Sequence, residues 1–139
     1  MKTYLKKIIS GMIAASIMTA AIFSANAALT AEGTYNGIRY GSELQVHISS
    51  SGSYVKGITN RLAGGYGFTG VTVTASGKLQ EGSLTEYFTN VSKSSSSVGS
   101  QAVVTLKSED VGGGIKTVDS AQGQHYVTSP ATAYITTTY

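Results

Sequence analysis

Beyond residue 27 the apolar side chains recur at every second position through long stretches of the chain, and a period of two predicts strands, not helices. The clearest case runs from Leu44 to Ile48, where Leu44, Val46 and Ile48 share one face and Gln45 and His47 take the other. Val71, Val73 and Ala75 alternate with Thr72 and Thr74, after which Ser76-Gly77 reads as a turn into Lys78 and Leu79. Leu84 to Val91 forms a further strand whose inner face the pattern leaves ambiguous. Ala102, Val104 and Leu106 alternate with Val103, Thr105 and Lys107, and the glycines at 112–114 end that strand, so that Ile115 to Val118 is expected to pair with it across the turn. The tail from Tyr126 to Tyr139 is broken at Pro130, a residue that belongs at a sheet edge or strand start, and then alternates through Ala131, Ala133 and Ile135.

Between these runs lie turn signals. Tyr35-Asn36-Gly37-Ile38 holds an Asn-Gly pair between apolar residues, which is the signature of a two-residue hairpin turn. The polar run from Ser92 to Ser100, with four consecutive serines at 94–97, reads as an exposed loop or a mobile hairpin tip. Strands at this spacing predict an all-β chain, a small antiparallel β-sandwich or barrel of about 7–9 short strands after an N-terminal signal helix. Gly65-Tyr66-Gly67-Phe68-Thr69-Gly70 matches the dinucleotide-binding glycine pattern in letters alone. A strand follows it, whereas nucleotide binding needs a helix whose N-terminal amides hold the phosphates.

The start of the chain has a different character. Lys2, Lys6 and Lys7 precede an uncharged run from Ile8 to Phe23, followed by Ser24-Ala25-Asn26-Ala27. A basic, an apolar and a small-residue region in that order is the pattern of a secretory signal, with Ala25 and Ala27 as the small residues that the signal peptidase requires. Residues 1–27 are thus expected to be removed, leaving a single all-β domain at 28–139, which is 139 minus 27, or 112 residues. The alternative is an uncleaved anchor. Ser10, Gly11, Ser16 and Thr19 dilute the apolar run below what a spanning helix of about 20 strongly apolar residues would carry.

Charge matters only once it is located. The net charge of +3 comes from the leader: beyond residue 27, five Lys, Arg39 and Arg61 balance five Glu, Asp110 and Asp119, seven against seven. Phosphate backbones are held by clustered cations, so a neutral domain argues against nucleic acid as a partner. The absence of cysteine removes both a disulfide framework and a lipid-attachment thiol. Together with the Lys-rich leader, this points to export by a Gram-positive bacterium, to the extracellular space or the envelope.

Candidate chemistry is sparse. Only two imidazoles, His47 and His125, are available for metal or acid–base work; alternation puts His47 on a wetted strand face, and no partner for His125 is evident. Glu81 with Glu86, or Glu109 with Asp110, could supply a carboxylate pair, but 112 residues leave little room for a glycosidase cleft. Asn90-Val91-Ser92 is a glycosylation sequon, of consequence only in a host that glycosylates exported chains.

Tyrosine is the unusual side chain: eight of the nine lie beyond residue 27. Because tyrosine is amphipathic, an exposed one can stack on a sugar ring or anchor a protein contact. Tyr40 beside Arg39, and Tyr66 near Arg61, form the candidate binding surface. These features predict a secreted, non-catalytic module without cofactor or metal, acting by surface contact with envelope polysaccharide, another protein or itself. The alternative is a membrane-active toxin or bacteriocin in which Leu84 to Lys107 forms an amphipathic hairpin around the serine run. A small metal-dependent hydrolase is the third reading.

Overall fold

The computed structural model describes residues 16–18, 26–35, 37–64, 67–128 and 132–139. Eight strands form two antiparallel sheets of four, packed face to face. Sheet B holds β2 (Asn26–Tyr35), β3 (Ile38–His47), β4 (Tyr54–Ala63) and β7 (Gln101–Lys107), in that spatial order. Sheet A holds β9 (Thr132–Thr138), β8 (Gly114–Thr128), β5 (Phe68–Glu81) and β6 (Leu84–Val98). A three-residue strand, β1 (Ser16–Met18), adds to β9 in parallel, and a single helical turn, α1 (Ser108–Val111), joins β7 to β8. The expected sandwich is therefore present.

The expected signal helix falls mostly outside the described residues, as does Ala25. Its described part, Ser16–Met18, is strand, and β2 begins at Asn26. Cleavage after Ala27 would thus remove β1 and the first two of the β2–β3 register pairs, Asn26 with His47 and Ala27 with Val46.

Alternation becomes layering in the expected way. On β3 the even positions from Ile38 to Val46 are buried, and on β5 the odd positions from Thr69 to Leu79 are buried. These rows meet β4 and β7 in a core of Leu44, Val46, Val55, Val71, Val73 and Leu106, each 2% exposed or less. Burying such a side chain contributes about 1.5–3 kcal/mol. The β2–β3 hairpin has the two-residue loop read from Asn-Gly: Tyr35 pairs with Ile38, and Gly37 takes φ +78°, open to glycine at no steric cost.

Three local expectations are corrected. Ser76-Gly77 is not a turn: β5 runs through it with a bulge, Ala75 pairing with Val91 and Gly77 with Phe88, while Asn90 takes φ 51° opposite. The serine run is not a loop, because Ser94–Ser97 lies inside β6, paired residue for residue with Thr69–Thr72. Ile115–Val118 does not return to β7. It opens β8, which pairs with β5 and β9, and β7 pairs with β4 instead. Tyr126 belongs to the end of β8, and Pro130 lies outside the described residues.

Candidate functional site

The outer face of sheet B is charged along its length, whereas one end of the outer face of sheet A carries no Asp, Glu, His, Lys or Arg. On sheet B the outward positions carry Arg39, Glu43 and His47 from β3, Lys56 from β4, Lys107 from β7 and Glu32 from β2. Arg39 Nη2 donates to Glu32 Oε2 at 2.7 Å, and the His47 ring stacks on Tyr54 with centroids 5.0 Å apart.

On sheet A the outward row of β5 is Phe68, Gly70, Thr72, Thr74, and its register partners on β6 are Val98, Ser96, Ser94 and Ser92. On β8 the corresponding row is Tyr126, Gln124 and Gln122, opposite Gly70, Thr72 and Thr74. None of these residues is Asp, Glu, His, Lys or Arg. The first charged side chain along the outer row of β5 is Lys78, beyond the bulge, and its Nζ sits 5.8 Å from the Tyr87 ring centroid.

Within the neutral patch the hydroxyls are ordered by one another across the strands. Thr72 Oγ1 lies 2.8 Å from Ser94 Oγ and Thr74 Oγ1 lies 2.7 Å from Ser92 Oγ. At the bulge, Ser76 Oγ accepts the Asn90 amide at 2.8 Å. Each such hydroxyl keeps further lone-pair capacity toward solvent. Tyr126 crosses the patch at Gly70: a Cβ there would run into Cζ, Cε2 and Oη of the phenol. Glycine is what lets the ring lie down on the strand, covering one side of the ring with backbone while Tyr126 stays half-buried. Phe68, 52% exposed, and Val98, 79% exposed, pair at the end of the same rows.

Directly behind Tyr126 the strand turns His125 inward. Its ring is fully buried, with Nδ1 2.9 Å from Thr59 Oγ1 on β4 and Nε2 3.0 Å from Thr137 Oγ1 on β9. Thr59 has one proton and donates it to the Gly70 carbonyl at 2.9 Å, so it accepts from Nδ1–H. Nε2 is then the acceptor, taking the Thr137 proton, and the neutral imidazole is satisfied on both sides. Burial holds its pKa down, to about 4. His125 is therefore a polar tie between the sheets, linking β8 and β9 of sheet A to β4 of sheet B, and the expectation that it lacks a partner is corrected.

Of the four sequence-designated surface residues, the three described ones do not form one site. Tyr40 is 3% exposed and packs with Ala31, Ile38 and Val127, where burial pushes its hydroxyl up to about 12. A buried ring offers nothing to a ligand. Arg39, its neighbour, points to the opposite side and is engaged by Glu32. Arg61 is half-buried and donates to the Gly67 carbonyl at 3.4 Å, and Tyr66 lies outside the described residues. His47 and His125 stand on different sheets, one outward and one inward. Among the described residues no group of three His, Asp or Glu side chains is placed to hold a metal ion.

The residues that sequence reasoning passed over are Thr72, Thr74, Ser92, Ser94, Gln124 and Tyr126. Their signal was present as polar alternation, since Gln122, Gln124 and Tyr126 alternate with Gly123 and His125 as regularly as the apolar rows do. No family model matches the chain, and neither a curated protein nor a solved structure matches it significantly.

Proposed function

We propose that the chain is an exported, non-catalytic module that lays the neutral outer face of sheet A against an uncharged, hydroxyl-rich polysaccharide of the envelope or its surroundings. The observation that carries this reading is the patch itself: ordered Ser, Thr and Gln side chains around a tyrosine ring, with no Asp, Glu, His, Lys or Arg among them. Sugar hydroxyls exchange hydrogen bonds with neutral donors and acceptors, and the apolar face of a pyranose packs on an aromatic ring. Such contacts need no deep pocket. They suit the outside of a sheet, where a polymer can lie along the strands.

Export is part of the proposal, and intact-mass measurement of protein recovered from the medium is expected to give an N-terminus at Ala28. An N-terminus at Met1 contradicts it. For the contact itself, co-sedimentation with insoluble neutral glucan is expected to retain the wild-type chain and to lose it with Tyr126→Ala. The truncation of an anchoring tyrosine costs on the order of 2 kcal/mol, or roughly thirtyfold in affinity. Equal retention of both chains contradicts the assignment of Tyr126.

One observation favours a second reading, contact with a lipid surface. The β5–β6 hairpin tip exposes Leu84 at 65% and Tyr87 at 71%, which is apolar area directed away from the core. Dye release from anionic and zwitterionic liposomes tests it. Leakage caused by wild type and abolished by Leu84→Asp would move the function to the membrane, and intact liposomes would leave the polysaccharide reading in place.

A further inference from the structure

β6 lies at the edge of sheet A. Among the described residues β6 is the longest edge, 15 residues, and it pairs with β5 alone. An edge strand carries a row of main-chain N–H and C=O groups without strand partners, and proteins ordinarily blunt such a row with Pro, with lysines turned along the edge, or with bulges. The segment from Val91 to Val98 has no proline, and its one charge, Lys93, is turned away: Nζ is held by Asp110 at 2.7 and 2.8 Å. The single bulge, at Asn90, lies before the segment and leaves eight regular residues beyond it. The other edges differ. β7 has seven residues and carries Lys107 on its outward face, β9 also has only seven residues, and β2 carries Glu32, engaged with Arg39.

We infer that Val91–Val98 pairs antiparallel with the same segment of a second copy of this chain, joining two sheets A into one continuous sheet. The identity of the partner follows from self-complementarity. If the two-fold axis passes at Ser95, Ser94 faces Ser96 of the second copy, Lys93 faces its Ser97, Ser92 faces its Val98 and Val91 faces its Gly99. No like charges meet, outward residues face outward residues, and small hydroxyls allow close approach on both sides. A strand from an unrelated protein would have to reproduce that pattern of small neutral residues. The second copy already has it.

The pairing goes beyond the polysaccharide reading, although it would double the width of the neutral face. Sedimentation velocity on the purified chain from Ala28 onward is expected to show a concentration-dependent dimer. In the double variant Ser94→Lys, Ser96→Lys, lysines face lysines across the axis, and the dimer dissociation constant is expected to rise at least about tenfold. Mixing it with Ser94→Glu, Ser96→Glu is expected to restore a mixed dimer. Both positions point to solvent, and circular dichroism checks that the variants fold. Independently of any variant, amide hydrogen exchange on wild type is expected to slow across residues 91–98 as protein concentration rises.

A wild-type chain that stays monomeric at about 100 μM, where an edge of this length has had ample opportunity to pair, overturns the inference. So does a dimer that the lysine variant leaves intact, or a lysine variant that its glutamate counterpart cannot rescue. Glucan retention of a monomeric chain would sink the pairing alone, whereas a dimer that ignores glucan would sink the polysaccharide reading alone.

Discussion

Both outer faces are made from strands of twofold alternation, yet that of sheet B is a field of mixed charges, whereas on sheet A the end from Phe68 to Thr74 with its partners on β6 and β8 is a neutral array of hydroxyls and amides. On sheet B, Glu32, Arg39, Glu43, Lys56 and Lys107 stand among polar neighbours, with an ion pair whose members are both more than half exposed. Such a surface keeps a chain soluble and contributes little else, since exposed pairs are worth about 0–1 kcal/mol. On sheet A the outward residues from Phe68 to Thr74 and from Ser92 to Val98 carry no charge, and they are held in place by one another. Solubility alone does not call for such a face. Alternation decides which side chains point outward, but the chemistry of the outward set is free to vary, and here it varies by sheet.

The largest expected effect lies beneath the neutral face. His125 is neutral and buried in the fold, with its pKa held down at about 4, whereas in the unfolded chain it titrates near 6.5. Between those values the unfolded state binds the proton that the folded state refuses. Stability is thus fully present above pH 6.5 and declines as pH falls toward 4, by roughly 3 kcal/mol if the whole shift is expressed. Urea unfolding across that range should show the decline in wild type and in His47→Ala, because His47 is a surface ring stacked on Tyr54. His125→Leu should flatten it. A decline that persisted in His125→Leu would mean that the acid sensitivity has another source.

Next in size is Gly70→Val. The new branch would occupy the space of the Tyr126 phenol, so the ring must leave the strand, at a cost of about 1–3 kcal/mol in stability. Glucan retention should fall together with stability. A variant that folds as well as wild type and binds as well would show that the ring's seat on Gly70 is irrelevant to the face. Smallest is Arg39→Ala on sheet B, expected to change stability by less than about 0.5 kcal/mol and to leave retention untouched, which denaturation and co-sedimentation check in parallel.

Much of this arrangement was legible in the sequence, and the limits were physical. The sandwich class, the β2–β3 hairpin and the inward rows of β3 and β5 all follow from local alternation and turn chemistry. Tyr40 was legible too: it shares parity with Leu44 and Val46 and continues their buried row, a clue stronger than its resemblance to a surface aromatic. His125 likewise shares parity with the buried Val127.

The serine run was misleading because polarity is evidence against burial, not against strand. On an edge strand one side is solvated, so Ser92 and Ser94 need only a ladder partner, which β5 provides. The Ser76-Gly77 signal was a true irregularity of the wrong kind, a bulge within one strand. The pairing of β8 with β5, which spans 34 to 60 residues of sequence from Gln80 with Gly114 (114 minus 80) to Phe68 with Thr128 (128 minus 68), is set by how the two sheets close over the core, and no local pattern encodes it.

The most direct test of the account is the ionic-strength dependence of polysaccharide retention. Screening shortens the reach of charges from about 10 Å at 0.1 M salt to about 3 Å at 1 M, and leaves hydrogen bonds and ring stacking nearly unaffected. Retention of the wild-type chain on neutral glucan, measured at both salt concentrations, should therefore stay within about a factor of two if the neutral face of sheet A makes the contact. A steep loss of retention on going to 1 M salt would contradict the account and transfer the contact to the charged face of sheet B.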